Sequence, residues 1–139
     1  HFSKCCSPVP GDEIVGFVTR GRGVSIHRTD CVNILHLSDM ERVRLIEAEW
    51  QEGADKEQFG EYHAEIKIFC HDRSGLLVDI TKVFTEAEIN ISGIHSKTSK
   101  QGIATIDVAF QTKGRGPITK IVEKIRQIES VMDVERTTG

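Results

Sequence analysis

The residues most able to do chemistry gather near the start of the chain. Cys5 and Cys6 stand side by side, His27 and Cys31 follow after a turn-rich stretch as His-x3-Cys, and His1 precedes Cys5 by four positions. Thiolate sulfur and imidazole nitrogen suit a borderline-soft divalent ion such as zinc, and a hairpin that returns to its own start brings two ligand pairs together. Disulfide chemistry fits less well. Adjacent cysteines bridge each other only under strain, and Cys70 lies alone in an apolar alternating segment. The pattern predicts structural zinc on Cys5, Cys6, His27 and Cys31. Vicinal cysteines rarely both reach one tetrahedral ion, so His1 stands as an alternative ligand in a site of two histidines and two cysteines. Two other uses remain open: a buried, reduced packing cluster, or a reactive thiol paired with His27. Against the last, the sequence offers no recognisable oxyanion or substrate architecture.

Energetics favour an ion. Residues 1–50 carry few large apolar side chains, and structural zinc can add on the order of 10 kcal/mol of binding energy coupled to folding.

Two further constellations have chemical content. Arg20, Arg22 and Arg28 surround Gly21-Arg22-Gly23, a hairpin tip whose open backbone and cations can meet phosphates of RNA; it reads equally as a solvated turn. His71-Asp72-Arg73-Ser74-Gly75-Leu76-Leu77 leads from a strand into a helix, where free N–H groups and the positive helix end can hold a carboxylate. Asp72 or Asn90, with Ile91 beside it, would then meet the ammonium of an amino acid. The bland reading of the same loop is a helix start capped by Asp72 or Ser74.

The elements that must position these groups are legible to different degrees. Ala64, Ile66, Ile68 and Cys70 alternate as in a half-buried strand; Leu76, Leu77, Ile80, Val83, Phe84 and Ala87 then fall at helical spacing. Residues 89–99 and 103–111 read as a hairpin turning at Lys100-Gln101-Gly102. Gly116 and Pro117 open a second helix striped by Ile118, Ile121, Val122, Ile125 and Ile128, and a strand at 131–136 follows. A β-α-β-β-α-β order with right-handed crossovers predicts a ferredoxin-like α+β fold, a four-stranded antiparallel sheet with both helices on one face. Ahead of it, strands at 13–19 and 24–28, a brief helix near 31–37 and a strand at 43–50 make a small β-hairpin module. Gln51–Lys56 is the polar join, dividing the chain into residues 1–57 and 58–139.

Composition sets the outer limits. The chain has 139 residues, 38% hydrophobic and 28% charged, with a net charge of -3, which excludes a large enzyme and gives no bulk basicity for nucleic acid. Residues 1–62 carry 7 Lys/Arg against 11 Asp/Glu, and residues 63–139 carry 11 against 10, so any RNA contact must rest on a local patch. With no apolar run near the roughly 20 residues of a membrane span, the expectation is a cytoplasmic protein without membrane association. A chain opening on His1 is read as a piece of a longer protein.

Asp72-Arg73-Ser74-Gly75-Leu76-Leu77-Val78-Asp79-Ile80 resembles the signature of ACT domains, regulatory modules that often pair and bind amino acids. Lys4-Cys5-Cys6-Ser7-Pro8-Val9-Pro10-Gly11-Asp12 and Gly21-Arg22-Gly23-Val24-Ser25-Ile26-His27-Arg28-Thr29-Asp30-Cys31 resemble the zinc-finger region, also called CC or RIS, that precedes ACT in long RelA/SpoT proteins. That resemblance implies a regulatory C-terminal region with no catalytic residues of its own. The parent would make or degrade (p)ppGpp in the stringent response as a GTP diphosphokinase, from catalytic domains at its N-terminal end. It further implies restraint of those domains, contact with ribosomal RNA and uncharged tRNA through Arg20, Arg22 and Arg28, a branched-chain amino acid at the ACT loop, and a homodimer through ACT. The competing reading is an amino-acid-sensing ACT module of a biosynthetic enzyme.

Overall fold

The computed structural model describes residues 1–51 and 61–137. The expected boundary between residues 57 and 58, and the part of the join beyond Gln51, lie outside the described residues.

The first module is a three-stranded antiparallel sheet: β1 (Ile14–Val18), β2 (Val24–Arg28) and β3 (Leu45–Glu47), in the order β2-β1-β3. Between β2 and β3 come two single-turn helices, α1 (Val32–Leu35) and α2 (Asp39–Arg42). Phe2 forms a parallel bridge to Ile26, flanked by Ile26 N–H donating to His1 O and Ser3 N–H donating to Ile26 O. That bridge lays the first residues along the open edge of β2, which carries Cys5 and Cys6 to His27. The third strand is three residues long rather than spanning 43–50. A helix takes the space before it: Ser38 accepts from Glu41 N–H, while the Glu41 carboxylate accepts from Ser38 N–H, a reciprocal capping box.

The second module follows the expected order: β4 (Tyr62–His71), α3 (Leu76–Glu86), β5 (Ile91–Thr98), β6 (Ile103–Thr112), α4 (Arg115–Arg126) and β7 (Val131–Arg136). The sheet runs β5-β6-β4-β7, every neighbour antiparallel. Alternation decides which face is covered. Ala64, Ile66, Ile68 and Cys70 of β4 and Ala104, Ile106, Val108 and Phe110 of β6 share one core with Leu76, Ile80, Val83 and Phe84 of α3 and Ile118, Ile121 and Ile125 of α4. Both helices therefore cover the same face. Phe84 and Phe110 meet edge to face at 5.2 Å in its centre.

The start of α3 departs from the expected cap. Neither Asp72 nor Ser74 caps it; Gly75 occupies the N-cap position at φ 79, a left-handed conformation that a Cβ would strain. Arg73 organises the turn instead, donating to Asp79 Oδ2 at 2.8 Å and to Glu129 O at 3.0 and 3.2 Å. Asp79 thus supplies the acidic group that favours a helix N-terminus, already neutralised by Arg73.

The two modules are packed into one another. Val9, from the first, is fully buried in the core of the second. Arg115 N–H donates to Pro10 O at 2.8 Å, while Gly11 lies so close that a Cβ there would stand 3.0 Å from Arg115 Cβ. Arg136 pairs with Asp12 at 2.6 Å, with only 14% and 5% of the two side chains exposed. Phe2, Trp50 and Tyr62 form an aromatic cluster across the join, with ring centroids 5.3–6.0 Å apart.

Two outcomes follow for stability. Phe84→Ala should cost about 3–5 kcal/mol in urea unfolding, since a buried ring leaves a cavity that its neighbours fill only in part; a loss under about 1 kcal/mol would contradict the core described above. Gly75→Ala should cost about 1–2 kcal/mol by the same measurement, the penalty of a left-handed L-residue, and an unchanged midpoint would mean that the turn adopts another conformation.

Candidate metal centre

Four donor atoms converge at the edge of the first sheet. The sulfurs of Cys5, Cys6 and Cys31 and a ring nitrogen of His27 all lie within 4.8 Å of one another. Cys5 Sγ is 3.4 Å from Cys31 Sγ and 3.4 Å from His27 Nδ1, and Cys6 Sγ is 3.9 Å from the same nitrogen. A tetrahedral ion with bonds of about 2.3 Å to sulfur and 2.0 Å to nitrogen requires ligand-to-ligand edges of about 3.5–3.8 Å. The spacing therefore fits one ion among four ligands.

Each donor is placed by a local device. Ser7 N–H donates to Ser3 O at 3.1 Å, closing one helical turn over Lys4, Cys5 and Cys6, and Ser7 leaves that turn at φ 46. Consecutive side chains in such a turn are about 100° apart rather than on opposite faces as in a strand. This is how two neighbouring cysteines serve one site. His27 comes from β2 and Cys31 stands immediately before α1. Ser25 Oγ lies 3.0 Å from His27 Nε2, so a proton on Nε2 donated to Ser25 leaves the Nδ1 lone pair facing the thiols. Arg28 N–H donates to Cys6 Sγ at 3.3 Å and Ser3 Oγ lies 2.7 Å from Cys5 Sγ. These supporting groups were not anticipated from sequence, since neither serine belongs to a ligand pattern.

The electrostatics of the cluster disfavour three bare thiolates. Burial pushes the Cys6 thiol up to about 12, and the neighbouring Cys31 and Cys5 charges push the same way against the lowering Arg28 N–H. Burial likewise raises Cys31. At Cys5 burial also acts upward, but hydrogen bonds with Ser3, Asn33, Cys31 and Cys6 outweigh it and hold the thiol below its ordinary value. Desolvation keeps His27 below its ordinary range, which favours the neutral ring a metal needs. Three thiolates cannot share this space unaided; a divalent ion replaces their repulsion with attraction. The residues present can hold a metal ion through Cys5, Cys6, His27 and Cys31.

The other expected groups separate. His1 is exposed and stands outside the set of converging donors, its backbone engaged with β2. Arg20 and Arg22 are exposed at the hairpin tip, but Arg28 does not join them. It sits at the far end of β2, 4% exposed, gripping Asp30 with two bonds of 2.7 and 2.8 Å and donating to Cys6 O and Thr137 O. Its position in a strand beside a buried cysteine decides this, which spacing alone did not reveal. The cation that sequence reading missed near the tip is Arg44, which donates to Val18 O at 2.8 Å and lies over the Phe17 ring at 4.8 Å.

In the second module, Asp72, Arg73, Gly75, Leu76 and Leu77 line a cavity of about 200 Å³ with Ser96 and Ile106. Asn90 belongs elsewhere: it lines a separate cavity of about 320 Å³ with Ile89, Thr112 and Pro117. Ile91 pairs with Phe110, whereas Ser96 at the loop's cavity pairs with Ile106. Within one chain, Asp72 and Asn90 therefore do not flank a common ligand.

The RelA/SpoT RIS domain matches residues 1–51 and the ACT domain matches residues 59–136. A GTP pyrophosphokinase of Escherichia coli is 36% identical over 140 aligned positions, covering 100% of this chain and 18% of its own length. A GTP pyrophosphokinase of Streptomyces coelicolor is 40% identical over 138 positions, covering 99% of this chain and 16% of its own. The chain thus spans under a fifth of these relatives. The crystal structure of the ACT domain from GTP pyrophosphokinase of Chlorobium tepidum superposes with a TM-score of 0.50 at 30% identity, covering 55% of this chain and 99% of that one. No helix among the described residues is long and apolar enough to cross a membrane. With an ACT domain over more than half its length and a RIS domain ahead of it, the chain belongs to the ACT domain family as the RIS and ACT region of RelA/SpoT GTP pyrophosphokinase homologues.

Proposed function

We propose that this region regulates a cytoplasmic (p)ppGpp synthetase or hydrolase of the stringent response, and that a structural zinc ion on Cys5, Cys6, His27 and Cys31 holds its RIS domain in a ribosome-competent shape. The observation that carries the reading is the convergence of those four donors within 4.8 Å in a RIS domain packed against an ACT domain. Zinc would supply folding energy and fixed geometry, not turnover. The catalytic domains of the same chain would be the regulated partner. Arg20 and Arg22, free at an exposed tip, suit the phosphates of ribosomal RNA and uncharged tRNA. Their reach comes from geometry, since the net charge of -3 gives no general attraction.

A second reading, an ACT module sensing a branched-chain amino acid for a biosynthetic enzyme, rests on the loop at Asp72–Leu77. A cavity of about 200 Å³ lies below the 300–1,000 Å³ usual for small-molecule pockets, so a second copy would have to complete it. Homodimer formation and amino-acid binding are therefore one proposal. The RIS match over residues 1–51 favours the first reading.

Elemental analysis of the purified chain should find one zinc per chain, and Cys31→Ser should lose most of it; full occupancy in that variant would remove Cys31 from the ligand set. Zinc uptake at pH 7 should release roughly two to three protons, because thiols must ionise to ligate. Affinity should consequently fall as pH drops, with the competition coming from the thiols rather than from His27, whose pKa is already depressed. An affinity independent of pH would contradict thiolate ligation. For RNA, Arg20→Glu with Arg22→Glu should weaken binding and flatten the salt dependence by about two contacts' worth, roughly 0.7–0.9 in log–log slope per contact; an unchanged slope would exclude the tip. Calorimetry with valine, isoleucine and leucine tests the second reading, and silence with all three counts against it.

A further inference from the structure

We infer that metal occupancy is coupled to the packing of the RIS domain on the ACT domain, and that Arg28 and Arg136 are the positioning residues that couple them. The inference rests on the zinc reading above. It starts from a coincidence of place: the turn from Ser3 to Ser7 that presents Cys5 and Cys6 is also the surface on which the end of the ACT sheet closes. Cys6 is held by Arg28 twice, through N–H to Sγ at 3.3 Å and through Nη1 to its carbonyl at 3.1 Å. The same Nη1 reaches Thr137 O, just beyond β7, at 3.2 Å. From the ACT side, Arg136 donates to Ser7 O at 3.1 Å and pairs with Asp12, whose other oxygen accepts from Val9 N–H at 2.8 Å. Val9 is itself part of the ACT core.

One guanidinium, that of Arg28, thus joins Cys6 to Thr137 just beyond the last ACT strand, and a second, that of Arg136, joins that strand to Ser7, the next residue along the turn. Arg28 and Asp12 are buried and Arg136 is largely covered, with 14% of its side chain exposed, so losing one partner leaves a charge poorly solvated rather than a contact merely missing. Ser7 sits in the left-handed region without being glycine, a conformation that the surrounding contacts must maintain. An ion that fixes Cys5 and Cys6 fixes Ser7 O and Cys6 O where the arginines need them. Without the ion, only weak thiol contacts such as Cys5 Sγ to Cys31 Sγ tie the turn to the rest of the cluster, and relaxation of Ser7 can open the joint. Coupling between sites is reciprocal, so a weakened joint must also weaken zinc binding.

The test uses the whole chain and zinc alone, with a chromogenic chelator as competitor. Arg136→Met should lower zinc affinity about tenfold, within the 5–150-fold range of coupled sites, although it touches no ligand. Asp12→Asn, which breaks the same pair from the RIS side, should do so in the same direction. The Arg115 amide, bonded to Pro10 O across the joint, should exchange at least tenfold faster once zinc is removed, while amides of Ile66 and Ile68 keep their protection. Wild-type affinity in both variants, or an Arg115 amide indifferent to zinc, would overturn the coupling alone. A wild-type chain that takes up no zinc would overturn the zinc reading and the coupling with it.

Discussion

Three thiols and an imidazole confined within 4.8 Å set the terms for the first fifty residues. That part of the chain has little else to fold around: its own core is Cys6, Cys31 and Ile34, with Cys5, Val15, Leu37 and Leu45 packed at the margin. Its sheet has strands of three to five residues, too small to bury much surface. In such a module the cysteines are at once the core and the candidate ligands. An ion that accepts three thiolates and one neutral ring turns the least favourable group of charges in the domain into its strongest bond set.

The ACT domain has the opposite balance. Its core joins four strands and two helices through fully buried isoleucines and two phenylalanines, and takes only Val9 from the first module. It lends that rigidity to its neighbour through Val9, the Arg136–Asp12 pair and the Phe2, Trp50 and Tyr62 cluster. The result is a stiff sheet carrying a small, conditionally stable module whose exposed hairpin tip bears Arg20 and Arg22. On the proposed reading, one part would hold position and the other would present a surface that depends on a bound ion.

Much of this was legible from the amino acids. Period-two alternation in Ala64–Cys70 and the helical spacing of Leu76, Ile80, Val83 and Phe84 located the ACT core because a one-sided sheet and a one-sided helix leave little freedom in which residues face inward, although Leu77 and Ala87 of the expected stripe are exposed. The four converging donors were legible because few residue types suit a soft divalent ion. What sequence spacing could not supply was orientation. The helical turn that lets Cys5 and Cys6 share one site depends on the Ser3–Ser7 bond, and the placement of Arg28 depends on which side of β2 it occupies. Asp72 and Asn90 are alternatives for one ammonium on sequence grounds, yet they line separate cavities. The helix at Asp39–Arg42 was missed although its signal, Ser38 followed three residues later by Glu41, was present; one turn of helix simply carries too short a periodic pattern.

Whether one zinc ion is held by three sulfurs and one nitrogen of this chain can be seen in the ion's own surroundings. Zinc K-edge X-ray absorption of the purified protein reads that shell directly. Three sulfur scatterers at about 2.3 Å and one nitrogen at about 2.0 Å are expected. A shell of nitrogen and oxygen alone, or one with fewer than three sulfurs, would contradict that ligation.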